Sequence, residues 1–173
     1  MIRSAVPLVP FMALLASCQS VPAPDAARTA DTHEAMVRWI SPAAQAIWDV
    51  ANSASAETGG LDPARMDAAA WTRLEDAARV VETRSELMAQ AETLHVGAHN
   101  DDLAGFATRA EIQAMIDADP NGFRNLSQQM AQHARELVRA AAARDPRASR
   151  ALAESLTDRC AACHTRYWEK PRR

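Results

Sequence analysis

The chain has 173 residues and a formal net charge of −3 at pH 7, with 22 acidic side chains against 19 Lys and Arg residues. This balance gives no global field that attracts nucleic acid, and a chain of this length can bury a core of its own. Abundant Ala, Glu and Arg, with only 5 Gly and 5% aromatic residues, favour an all-helical fold.

The first seventeen residues predict an export signal that is not part of the fold. Arg3 precedes an apolar run that ends at Ala16 and is too short to span a bilayer. The stretch Leu15 to Cys18 resembles the lipobox of bacterial lipoproteins, which implies cleavage before Cys18 and a lipid on its side chain. The alternatives are an ordinary signal peptide cut nearby and an uncleaved anchor. We expect a lipoprotein signal peptide over residues 1–17.

Residues 18–32 predict a flexible tether, because Pro, Ala, Ser and Asp dominate this stretch. The folded domain is expected over residues 33–173. No segment after residue 20 is apolar enough to cross a membrane.

Four long helices are predicted in this domain, and each contains or begins at an oxygen-bearing capping residue followed by Pro. The pairs are Ser41-Pro42, Asp62-Pro63, Asp119-Pro120 and Asp145-Pro146. Apolar residues at helical spacing predict helices from Thr32 to Glu57, from Pro63 or Asp67 to His95, from Pro120 to Arg144 and from Pro146 to Trp168.

Pro42 should kink or split the first of these helices, because it removes a backbone hydrogen bond. Between the second and third helices, only Ala110 to Asp117 is expected to be helical, and no strand pattern is evident. Short turns between long helices predict an antiparallel four-helix bundle with a cofactor site between facing helices.

The last predicted helix carries Cys160-Ala161-Ala162-Cys163-His164, which fits C-x-x-C-H, the attachment motif of a c-type haem. Two thiols at this spacing add to the porphyrin vinyl groups, and the adjacent imidazole supplies the proximal iron ligand. Positions i, i+3 and i+4 share one helix face, so all three groups can reach one flat cofactor. The alternatives are a disulfide or half a zinc site. No further Cys remains in the expected mature domain to complete a four-ligand zinc site.

An all-helical chain with C-x-x-C-H in its last helix resembles the class II c-type cytochromes, the cytochrome c-prime family. The family motif usually continues with Tyr and a basic residue, and here Tyr167 matches whereas Trp168 replaces the base. The resemblance covers residues 33–168. It implies a bundle of this type with one covalent haem c. We find no catalytic constellation and expect no enzymatic activity.

The function depends on the distal side of the iron. The resemblance implies that the first helix crosses this side. It offers either a Met ligand, as in an electron carrier, or an apolar side chain that leaves the site open to NO or CO. Met36 is the candidate distal ligand, and His33 is a competitor. If Met36 is only core filler, then Trp39, Ile40 and Ala43 should line the pocket.

Other histidines are weaker candidates. His133 is expected to be a satisfied or half-exposed histidine rather than a ligand. A second group of residues could suggest a metal site: His95, His99, Asp101 and Asp102. A solvated loop is the simpler interpretation of this group.

Basic residues cluster beside the motif, with a single acid, Glu169, among them: Arg159, Arg166, Lys170, Arg172 and Arg173. They form either a solvated tail or a docking surface for an acidic redox partner. The sequence therefore predicts a periplasmic, membrane-anchored lipoprotein that passes single electrons through haem, as a monomer or homodimer. The alternative is a gas-binding cytochrome with a vacant distal site.

Overall fold

A computed structural model describes residues 28–57, 59–98 and 106–170. The predicted signal peptide, Cys18 and residues 18–27 of the predicted tether lie outside these residues. So do four other residues singled out above: His99, Asp101, Asp102 and Arg172, together with the C-terminal Arg173.

In chain order the elements are β1 (Thr29–Asp31), α1 (Thr32–Glu34), a π-helical segment (Ala35–Ile40), α2 (Ser41–Ser53), α3 (Ala68–Gln90), β2 (Thr93–His95), α4 (Arg109–Ala118), α5 (Pro120–Ala142) and α6 (Pro146–Tyr167). Helix α3 packs against α2 and α5, and α6 packs against α5 and α2, which closes a four-helix ring. Residues 143–145 reverse the chain between α5 and α6, with Arg144 in the left-handed region at φ 53°. The predicted all-α four-helix bundle is confirmed.

The capping carboxylates explain where the long helices begin. Asp119 and Asp145 cap α5 and α6, each with its side chain accepting a backbone N–H of the first turn. Helix α3 begins after Asp67, the later of the two predicted starts, because the Asp67 carboxylate accepts a 2.7 Å hydrogen bond from the Ala70 N–H. Its predicted end was wrong, since α3 stops at Gln90 rather than at His95.

The first helix runs through Pro42, and the six residues before α2 are π-helical. The proline ring has no N–H to donate and clashes with the carbonyl four residues earlier in a regular α-helix. The wider π turn relieves this conflict, because the Ser41 N–H instead donates to the carbonyl of Met36, five residues back. Helix α2 then ends at Ser53, before the predicted Glu57. Single widened turns of this kind are often found at functional sites.

A small parallel sheet departs from the prediction. Strands β1 and β2 pair in register, with Thr29 opposite Thr93 and Asp31 opposite His95. Residues 29–32 therefore belong to the folded domain rather than to the predicted tether, and His95 lies in a strand. Three-residue strands are too short to display the alternation that identifies a strand in sequence.

The core divides into two clusters that meet at α6. The larger cluster surrounds fully buried Ile47, Leu74 and Leu137 inside the bundle, and Cys160 packs against it. The second, around Ile40, Met88 and Phe123, has both Met36 and Cys163 packed against it. The C-x-x-C-H motif thus lies where the clusters adjoin. None of the described helices is both long and apolar enough to span a membrane.

Candidate cofactor site

The three motif side chains lie on the last two turns of α6, and all are partly buried. Cys160 and Cys163 are free thiols and form no disulfide. Burial raises the pKa of both thiols, that of Cys163 to about 11. Both side chains are therefore neutral thiols at pH 7, held three residues apart on one face of the helix.

Two cavities adjoin the motif, with volumes of about 400 and 460 Å³. Each is within the range of about 300–1,000 Å³ that is usual for small-molecule sites in proteins. Five residues border both cavities, which therefore adjoin one another: Met36, Ser41, Cys163, His164 and Trp168.

The smaller cavity has mainly apolar walls, and we call it the apolar cavity. Its lining includes Val37, Ile112, Ile116 and Phe123, together with His33. These side chains come from α1, the π-helical segment, α4 and α5. The lining suits the hydrocarbon body of a flat macrocycle.

The larger cavity has polar groups in its wall, and we call it the polar cavity. Gln45, Ser127 and Arg159 border it, together with Cys160. Ser85 borders it as well, and its fully buried hydroxyl has no hydrogen-bond partner among the described residues. Leaving a buried hydroxyl unpaired costs about 1–3 kcal/mol, so the site fits a cofactor or bound water that offers a polar atom here. Two thiols, an imidazole, largely apolar walls and a few polar groups, Arg159 among them, together fit a haem with its charged propionates.

His164 has the protonation state that metal ligation requires. Burial lowers its pKa, although the carboxylate of Glu169 acts in the opposite direction, so the imidazole is neutral at pH 7. The Trp168 ring lies edge-on to the imidazole, with 4.8 Å between ring centroids. Trp168 also stacks on Phe106 at 4.2 Å. Trp168, which replaces the usual base, therefore packs directly against His164 and Phe106.

Tyr167 fixes the end of the motif helix. Its ring is buried edge-on against Phe123, and its hydroxyl lies 3.0 Å from the backbone oxygen of Asp119. Arg166 forms an ion pair with the Asp119 carboxylate. A Cβ on Gly122 would lie 2.8 Å from the Tyr167 hydroxyl, so glycine permits this close approach of α5 to α6.

Met36 reaches the site because the N-terminal segment is tied down. The Thr32 hydroxyl donates to the carbonyl of His95 at 3.1 Å, and Asp31 accepts backbone N–H groups of Glu34 and Gly97. Burial acts to raise the pKa of the Asp31 carboxyl, but the hydrogen bonds from the Glu34 and Gly97 N–H groups lower it overall. The hydrogen bonds of Thr32 and Asp31 hold α1 against β2. They thereby position the following π-helical segment, so that Met36 lies beside the motif.

The neighbours of Met36 are only partly where we predicted them. Ile40 borders the polar cavity, and His33 borders the apolar cavity. Trp39 lines neither, because its ring lies outside beneath the Arg84 guanidinium at 4.0 Å. Ala43 also lines neither and packs in the larger core cluster. The π segment changes which residues share a face, and a regular α-helical projection misplaces Trp39.

The other described histidines singled out in the sequence, His133 and His95, lie away from the motif or in no metal-binding group of the described residues. His133 is buried, and its Nε2 lies 2.9 Å from the carbonyl oxygen of Leu152, as expected of a satisfied core histidine. Within residues 28–57, 59–98 and 106–170, no group of three or more His, Cys, Asp or Glu side chains is arranged to hold a metal ion. His95 therefore belongs to no such group within these residues.

Two features of the site went unrecognised in the sequence. Ser85 occupies an inward position of α3, four residues after Val81 and three before Met88, so a polar residue in an apolar stripe was the available signal. The second feature is the contact of Asp119 with Arg166. These residues are 47 positions apart in the chain, so no local sequence pattern predicts their contact.

A helical bundle with C-x-x-C-H in its last helix, beside paired cavities, defines a class II c-type cytochrome. The sequence profile of the family described as Cytochrome C' matches residues 64–168, more than half of the chain. The protein therefore belongs to the cytochrome c' family, whose members bind haem c covalently and are generally not enzymes. Neither the curated proteins nor the solved structures compared with it gave a match.

Proposed function

We propose that this protein is an exported, membrane-tethered monohaem cytochrome that carries single electrons. In this proposal Cys160 and Cys163 bond the haem, His164 is the proximal iron ligand and Met36 is the distal ligand. The observation that carries the proposal is that Met36 and His164 border the same two cavities, although they come from opposite ends of the chain.

The residues have separate tasks. The haem, when bound, supplies an iron that gains and loses one electron. The neutral imidazole of His164 offers a lone pair without first losing a proton. The Met36 thioether, if it bound the iron, would favour the ferrous state and raise the reduction potential. The apolar wall around Met36 limits access of water. A less polar surrounding also favours the ferrous haem, because it carries one positive charge fewer than the ferric haem.

Export and anchoring rest on the lipobox at Cys18 and on the family, whose members are typically periplasmic or exported. Lipid on Cys18 would tether the domain to a membrane without a spanning helix. This arrangement keeps the cytochrome close to membrane-bound electron donors while the haem domain stays in the aqueous phase.

The docking surface for a redox partner is proposed on the C-terminal side of the motif. Arg159 is exposed at the rim of the polar cavity, and Lys170 is exposed after α6. Arg166 contributes less free charge than its sequence position suggests, because it pairs with Asp119. Complementary charge at such a rim raises the rate of encounter with an acidic partner.

A second candidate function is binding of NO or CO. It is favoured by the apolar walls beside Met36, which would suit a small uncharged ligand if the thioether does not bind the iron. The two functions make opposite demands on the distal position, because a ligated Met occupies the site that a gas needs.

Optical spectra of the purified haem protein, ferric and ferrous, separate the two. The carrier should be low-spin in the ferric state, with the weak long-wavelength band of iron–thioether bonding, and its ferrous form should take up CO slowly. A high-spin ferric spectrum with rapid CO uptake would make gas binding the function.

A further inference from the structure

A second surface feature lies apart from the motif. Trp39 and Leu87 are 38% and 49% exposed, and both border a surface groove of about 360 Å³. Arg28 and Arg84 border the same groove. We call these four residues the Trp39 face. Large apolar side chains at this exposure are uncommon in the described part of the chain, where Val37 is the one further example.

The Trp39 face carries two guanidinium groups. The Arg84 guanidinium lies 4.0 Å above the Trp39 ring, and within the described residues neither Arg84 nor Arg28 forms an ion pair. Two acids, Asp31 and Glu34, line the same groove, and both already have partners: Glu34 pairs with Arg38 at 3.1 Å, and Asp31 accepts backbone N–H groups. The face therefore presents an indole and a leucine beside two available guanidinium groups.

The chain enters the described fold at this same place. Arg28 is the first described residue, and its carbonyl accepts hydrogen bonds from the N–H groups of Glu92 and Thr93 at 2.8 and 3.2 Å. Cys18 lies ten residues earlier, so an extended chain could separate the two by at most about 36 Å. A lipid on Cys18 would therefore keep Arg28, which borders the groove, within this distance of the bilayer.

We propose that the Trp39 face docks on the surface of the bilayer that holds the anchor. Trp side chains are favoured at the level of lipid headgroups, where an apolar ring and a polar N–H are both accommodated. The arginines contact lipid phosphates while their stems cover apolar surface. This inference rests on the proposed lipid anchor at Cys18.

The tether explains how so small a face can be effective. Two apolar side chains and two arginines bind a membrane weakly on their own, but a short tether gives an effective concentration on the order of millimolar. The contact then orients the domain. Because α6 is diagonal to α3 in the bundle ring, the motif helix lies on the side away from Leu87.

The test places a photo-crosslinking residue on the face. The complete lipid-bearing chain is prepared with Leu87→p-benzoylphenylalanine and reconstituted in vesicles of phosphatidylethanolamine and phosphatidylglycerol. The matched control is Ala151→p-benzoylphenylalanine, since Ala151 is exposed on α6. After irradiation, mass spectrometry should find phospholipid adducts at position 87 in several-fold excess over position 151. An unchanged haem spectrum reports that each variant is folded.

Two failures are distinguishable. If the chain does not float with the vesicles at all, the lipid anchor is wrong, and this proposal fails with it. If it floats but position 87 gives no more lipid adduct than position 151, the anchor stands and the docking face is wrong. Adducts to a second copy of the chain at position 87 would assign the face to a dimer and would also overturn membrane docking.

Discussion

Arg166 and Asp119 form an ion pair that joins the end of α6 to the start of α5. Asp119 serves three groups at once, because its carboxylate also accepts the Gly122 N–H at 3.0 Å and lies 3.3 Å from the Tyr167 hydroxyl. Arg166 lies two residues after His164, the last residue of the C-x-x-C-H motif. The ion pair therefore fixes the turn of α6 that carries His164.

The first prediction concerns the stability of this junction. Asp119→Ala should lower the free energy of unfolding by about 1–3 kcal/mol, since it removes a helix cap and an ion pair that is partly exposed. Asp119→Asn keeps the cap and should cost about 1 kcal/mol or less. Denaturant unfolding of the haem protein measures both. Equal losses for the two variants would mean that the charge, not the cap, stabilises the junction.

The second prediction uses the single tyrosine of the chain, Tyr167. Burial raises the pKa of its hydroxyl, Arg166 opposes that rise and Asp119 adds to it. The tyrosinate absorbance should therefore appear above the usual pKa of about 10. Because the unfolded chain loses this proton first, the contribution of Tyr167 to stability should fall as pH rises past 10.

Two substitutions should shift the pKa of Tyr167 in opposite directions. Asp119→Asn removes a negative charge and should lower the pKa of Tyr167, whereas Arg166→Gln should raise it further. Ultraviolet titration of the folded protein compares them. Shifts in the same direction would show that the variants act by loosening the packing of Tyr167 rather than through charge.

The bundle was predictable because its signals are local. Asp119 and Asp145 each precede Pro at a helix start, and the structure uses both as caps. Apolar spacing then identified the buried faces. The C-x-x-C-H motif was equally legible, since its five consecutive residues define it without any tertiary information.

The features that could not be predicted from the sequence depend on contacts between distant residues or on a change of helical pitch. The sheet pairs Thr29 with Thr93, and each strand is stable only in the presence of the other. The π turn before Pro42 moves Trp39 out of the site, although the proline alone indicated only that the helix would be disturbed. Ser85 was visible only as one polar residue in an apolar stripe, and the stripe alone does not show that its hydroxyl borders a cavity.

The third prediction concerns covalent attachment. With thioether bonds from Cys160 and Cys163, acid-acetone should not extract the haem, and the polypeptide mass should increase by one haem. Cys163→Ser should leave a single bond or abolish attachment. Thr157→Ser, a matched change at an exposed site on the wall of the polar cavity, should leave attachment intact. Extractable haem in the unsubstituted protein would refute the assignment of both thiols.

The fourth prediction concerns the anchor. Cys18→Ser removes the proposed lipid site and should move the protein from the membrane fraction to the soluble periplasmic fraction. Ser17→Ala, next to the proposed cleavage point, is the control and should leave the protein in membranes. Fractionation followed by haem staining measures the distribution. An identical distribution for Cys18→Ser and the unsubstituted protein would exclude lipidation at this residue.

The last prediction decides between electron carrier and gas binder. Met36→Leu removes the sulfur at nearly constant volume, so it should change the ferric haem from low-spin to high-spin with little loss of stability. It should also lower the reduction potential and open the ferrous iron to rapid CO binding, because the thioether no longer fills the distal position. Optical spectroscopy, a redox titration and CO-mixing kinetics measure these three effects.

Met130→Leu is the matched control, since Met130 borders the polar cavity but not the apolar one and belongs to the larger core cluster. It should leave the spin state and the potential unchanged, which separates loss of a ligand from a general repacking of the wall. If Met36→Leu stays low-spin, another side chain binds the iron, and His33, which lines the apolar cavity, becomes the residue to substitute next. If the unsubstituted protein is already high-spin, Met36 is core filler and its apolar surroundings serve a gas ligand instead.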